Sequence, residues 1–134
     1  MLSKIFITIA FIMYGVVVPI FEINATHVFN PEWVPHARLH EVWQLATNTS
    51  LGLLCLWLAW VKGNIRAAST LGIFIMGGFM FAYVTRASYG GSMVLSDGSE
   101  KMVLGINLGV FAFTVAIALS LAAIAMASDP KRNY

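Results

Sequence analysis

At 134 residues the chain is one domain's worth of protein, 59% hydrophobic and only 10% charged. Soluble domains carry roughly a quarter of their residues as charges, so this composition excludes a water-soluble globule and points to lipid as the solvent. The net charge of +2 is spread over connecting segments with no basic run, which excludes a nucleic-acid partner.

A membrane-crossing helix needs about 20 mostly apolar residues. The first stretch that qualifies covers residues 5–21. It follows Lys4 and lacks a small-residue cleavage site, so it reads as a retained span rather than a signal peptide. Pro19 predicts a kink near its end, tolerable where a neighbouring helix satisfies the freed carbonyl. The second span covers 38–61, with Trp57 and Trp60 suited to a membrane–water boundary. Cys55, the single cysteine, lies inside it and reads as a small packing residue. The third covers 67–88, where Gly72, Gly77 and Gly78 permit close helix approach. The fourth covers 102–127, with Gly105, Gly109 and many alanines in the same role. The expected fold is all-α: a single integral membrane domain over 1–134, built as a four-helix up-and-down bundle.

Charge asymmetry orients the bundle. Lys4, Lys62, Arg66, Lys131 and Arg132 stand against Asp129 on one side. Arg38, Arg86 and Lys101 stand against Glu22, Glu32, Glu41, Asp97 and Glu100 on the other. The positive-inside rule then makes both termini cytoplasmic, in a multi-pass protein of a bacterial inner membrane.

The chemistry concentrates between Glu22 and Asn48, which holds all three histidines and three of the six acidic residues. Pro35 suits the first turn of a helix. His36, His40, Gln44 and Thr47/Asn48 then follow at steps of about four residues and stack along one face. Polar groups at membrane depth normally face a bundle interior or a water-filled cavity, so this stripe is expected to line an internal pocket. Asn24, Tyr83, Arg86, Tyr89 and Asn107 lie at the same level and are candidate partners. Glu41 is off the stripe and suits a pair with Arg38 or with a neighbouring subunit, or a role in catalysis.

Three chemistries fit such a pocket. Two histidines four apart on a helix can hold a divalent metal ion, with His27 or a carboxylate as a further ligand to His36 and His40. One neutral histidine can be the axial ligand of a haem between apolar walls. His and Glu side chains in a low-dielectric pocket can act as acid and base with no cofactor. Against all three stands a non-catalytic accessory or lipid-binding bundle, whose polar stripe only fixes helix packing.

The run from Thr26 to His40, THVFNPEWVPHARLH, resembles the motif Thr-His-x-Phe-Asn-Pro-x-Trp-x-Pro-His-Ala-x-x-His of small uncharacterised four-helix membrane proteins. Most of the chain is also similar to styrene oxide isomerase, through Ala37-Arg38-Leu39-His40 with a downstream Asn48 and the layout of GGFMFAYVTRASYGG. That resemblance implies a homotrimer with haem b bound through His40, and Lewis-acid opening of an epoxide. It gives Asn48 the positioning of the substrate oxygen, and Tyr83 or Tyr89 the family's tyrosine role. The chain departs from that pattern in Glu41-Val42 after the histidine and in the added His27 and His36. The expected function is an isomerase-type membrane enzyme for a small apolar substrate, a non-haem metal protein being the alternative.

Overall fold

The computed structural model describes residues 1–95 and 97–127. It has four helices long and apolar enough to cross a membrane: α1 (Leu2–Glu22), α2 (Pro35–Trp60), α3 (Ile65–Thr85) and α4 (Leu108–Ala127). A 3₁₀ turn, Arg86–Ser88, extends α3. The helices close a ring in which α1 packs on α2 and α4, and α3 lies between those two. One part of the core gathers Phe11, Tyr14, Met76, Phe113 and Ala116; the other gathers Ile7, Cys55, Ala59, Ala68 and Ala123.

Proline chemistry shapes α1. Pro19 has no N–H to give the carbonyl four residues back, that of Gly15. The helix responds with a π-helical segment over Ile12–Val17. The Thr49 hydroxyl of α2 donates to the Gly15 carbonyl at 3.0 Å, so the bond lost within α1 is replaced from its neighbour. Beside it the Phe11 ring lies in a slot between two glycines. A Cβ on Gly15 or on Gly52 of α2 would stand 2.3 Å from that ring, so neither position has room for a side chain. At the opposite end of α1, Trp60 Nε1 donates to Thr8 Oγ1 at 3.0 Å, and the Lys4 ammonium lies 5.4 Å from the Trp60 ring centre.

The fourth helix starts later than the sequence reading places it. Residues 102–107 form a small antiparallel hairpin, β1 (Met102–Val103) and β2 (Ile106–Asn107), pairing Met102 with Asn107 and Val103 with Ile106. Leu104 and Gly105 both take positive φ, 51° and 77°, the conformation of a tight two-residue hairpin turn. Asn107 is therefore not one turn into the helix. Its Oδ1 accepts from the Gly109 and Val110 amides at 2.9 and 3.3 Å and caps α4.

The α1–α2 seam yields a stability prediction. Thr49→Val removes the donor and leaves a buried carbonyl unpaired, which costs about 1–3 kcal/mol, while Thr49→Ser keeps the bond. Gly52→Val drives a side chain into the Phe11 ring and costs more than Thr49→Val. Denaturant-induced loss of helical circular dichroism in mild detergent reads both; an unchanged midpoint in Gly52→Val would remove this seam as a determinant of the fold.

Candidate functional site

The polar residues of α2 form one continuous row, but the row is oblique. At 3.6 residues per turn, each step of four residues turns about 40° around the helix axis. His36, His40 and Gln44 are exposed, Asn48 is half-buried, and Gly52 at the next step is buried. The face of α2 turned into the core is instead Leu45, Gly52, Cys55 and Ala59, three of them small enough to let α1 and α3 approach closely. The expected pocket inside the bundle is thus corrected: the row starts on the outer surface and winds into the seam between α2 and α3 at Asn48.

That seam is an open groove of about 330 Å³, lined by Gln44, Asn48, Leu51, Leu71, Phe74, Ile75, Gly78 and Phe79. A second shallow groove of similar size runs over His40, Trp43, Gln44, Thr47 and Asn48. Among the described residues, the side chains of Gln44, Thr47 and Asn48 have no hydrogen-bond partner in the chain.

The two histidines of the row converge. His40 Nε2 lies 3.0 Å from His36 Nε2, with the rings edge to face at 4.5 Å. Two nitrogens at that distance hold one proton between them, so at least one ring is neutral. Trp43, one turn on, sits 5.7 Å from the His40 ring. Metal–nitrogen bonds of about 2.0–2.1 Å to both Nε2 atoms would meet at roughly 90°, a cis pair of ligands. A porphyrin occupies all four equatorial positions and leaves only two trans ones. The pair as placed therefore does not fit haem b bound through His40, because His36 stands where the iron would be. It does fit an ion free to take two neighbouring imidazoles.

His27 belongs to a different cluster. Its Nε2 is 2.8 Å from Glu22 Oε2, and its Nδ1 is 2.8 Å from Thr26 Oγ1. Asn24 Oδ1 accepts from both the amide and the hydroxyl of Thr26 at 2.7 Å, so the single hydroxyl proton is already used. His27 Nδ1 must then be the donor to Thr26 Oγ1, and the contact with Glu22 needs one proton shared between carboxyl and ring. Trp33 covers the imidazole edge to face at 5.6 Å. Burial first, and then the Lys101 ammonium, push His27 below its ordinary pKa of 6.5. Among the described residues no group of three or more His, Cys, Asp or Glu is placed to hold one metal ion, so His27 is not brought to the His36–His40 pair.

The remaining candidates make local contacts. Arg86 stacks on Tyr83 at 4.2 Å and donates to its carbonyl at 2.6 Å, while the Tyr89 hydroxyl donates to the Ala82 carbonyl at 2.7 Å. Neither tyrosine is bonded to the α2 row among the described residues. Glu41 is half-buried and close enough to Glu22 for their charges to interact, so it sides with the His27 cluster. Sequence reasoning missed Trp43, Glu22 and Thr26 as neighbours of the histidines. Asn24-Ala-Thr26 carried a usable signal, since an Asn two residues before a Thr amide forms an Asx turn.

No family model, curated protein or solved structure matches the chain.

The His27 shift fixes a pH dependence. The unfolded imidazole takes up a proton near pH 6.5 that the folded one resists, so the folded state is favoured above that pH and loses stability as pH falls through it. Between pH 7.5 and pH 5 the thermal midpoint of the parent in detergent should fall relative to that of His27→Gln. An equal change in parent and variant would assign the acid sensitivity elsewhere.

Proposed function

We propose that the chain is a multi-pass integral protein of a bacterial inner membrane, built as an up-and-down bundle with both termini cytoplasmic. Its α2 row would be the working site of an isomerase-type enzyme for a small apolar, epoxide-like substrate. The orientation is supported by the cations: Lys4 packs on Trp60 and Lys62 on Trp57, at the end of the bundle away from Glu22, His27 and Glu41. Asp129, Lys131 and Arg132, which the sequence reading also used, lie outside the described residues.

The observation that carries the functional reading is the run of the row itself. A convergent histidine pair at its outer end leads, through unpartnered Gln44 and Asn48 amides, into an apolar groove of about 330 Å³. That volume suits a small molecule, and its walls of Leu51, Leu71, Phe74, Ile75 and Phe79 suit one that partitions into lipid. A divalent ion held by His36 and His40 would supply a Lewis acid, polarising a substrate oxygen without net redox change. The Asn48 amide, without a hydrogen-bond partner among the described residues and about two turns further along α2, would donate to a polar group of a substrate seated in the groove. Polar groups facing acyl chains are costly, so a further copy of the chain is the natural cover for the row, making the protein a homo-oligomer.

The test uses protein reconstituted in lipid vesicles with a panel of small aryl and alkyl epoxides, reading carbonyl product. Loss of a hydrogen bond to bound substrate weakens binding more than chemistry; Asn48→Leu is expected to raise KM, and His36→Ala or His40→Ala to abolish turnover. A parent protein that converts none of the panel would overturn the reaction class. A Soret band lost in His40→Ala would replace the histidine-pair ion with haem.

A further inference from the structure

We infer that two copies of the chain meet along the α2 row and hold one divalent metal ion between their His36–His40 pairs, four imidazoles to one ion. This rests on the reading above that the pair is a metal site and that another copy covers the row. It adds how many copies meet and what the second one contributes.

The pair is set for an ion but incomplete. Its two Nε2 atoms, 3.0 Å apart, span one edge of a coordination sphere. Among the described residues nothing in the same chain joins them as a third His, Cys, Asp or Glu. Two imidazoles fill half of the smallest usual sphere, which takes four ligands. A copy related by a two-fold axis supplies the missing half with identical chemistry, since in such an interface the same patch faces itself.

The row is fitted to its own image. His36, His40, Gln44, Thr47 and Asn48 include no charged residue other than by protonation of a histidine. Every one of them can both donate and accept, so two copies face each other without like-charge repulsion and with complementary bonds. The Gln44 amide and Thr47 hydroxyl, which find no partner among the described residues, find one in the second copy, while Asn48 stays in the groove. The packing geometry agrees: residues spaced by four form the ridges that interlock most often when two helices cross, at about −50°.

Imidazole donors suit nickel(II) or copper(II) in square or six-coordinate geometry. Six-coordination with four imidazoles leaves two positions for water or substrate oxygen, as a Lewis-acid role requires. Metal entry displaces the proton between the two Nε2 atoms, and the ring that carried it keeps its charge by moving that proton to Nδ1.

Full-length protein purified in mild detergent, and again in lipid nanodiscs, would be loaded with nickel(II), dialysed and analysed for metal and for mass. The expected result is one nickel per two chains and a particle of two copies. His36→Gln and His40→Gln keep a polar side chain and the helical spectrum, and should each weaken nickel binding by at least about tenfold. One nickel per chain, a three-copy particle, undiminished binding in His36→Gln, or a folded parent that retains no nickel would each overturn the inference. Half-stoichiometric nickel without epoxide turnover would uphold it while removing the reaction class; turnover with one nickel per chain would do the reverse.

Discussion

The seam between α1 and α2 decides the rest of the structure. Pro19 frees the Gly15 carbonyl, Thr49 takes it up at 3.0 Å, and the Phe11 ring fills the slot between Gly15 and Gly52. A directional bond and a steric slot together allow α2 only one rotation about its axis. That rotation buries Leu45, Gly52, Cys55 and Ala59 and leaves His36, His40 and Gln44 outside. The position of the polar chemistry is thus a consequence of how a proline's missing N–H is compensated.

Two polar clusters follow, and they are built differently. The Asn24–Thr26–His27–Glu22 network is internally complete: each donor has an acceptor, an indole covers the ring, and the loop after α1 is held to the helix end. The α2 row is incomplete. Among the described residues its histidines bond only to each other, and its amides have no hydrogen-bond partner. A saturated network is what a structural role requires, whereas unsatisfied groups on an open face are available to a ligand or a partner. His27 is therefore held by its own network, whereas His36 and His40 stay open to a ligand or a partner.

Much of this was legible in the sequence because it depends on composition and short-range rules. Runs of apolar residues gave the four helices to within a few positions, and Pro19 with its need for a neighbouring donor was readable from proline's missing N–H alone. The start of α4 was not, because the hairpin at Leu104 and Gly105 rests on two consecutive positive φ values, the first at a leucine that carries no turn signal. The spacing of His36, His40, Gln44 and Asn48 announced a row, but spacing of four is only approximately a face. The accumulated turn of about 40° per step is small for one pair and decisive over three.

By itself, then, the sequence determined that the chain forms four apolar helices and that one of them carries a polar row beginning at Pro35, since periodicity and hydropathy are local properties. Only the tertiary structure decided which way that row faces and which histidines stand together. Those depend on the rotation of α2 against α1 and on where the 23–34 loop folds back, and both are set by contacts between residues distant in the chain.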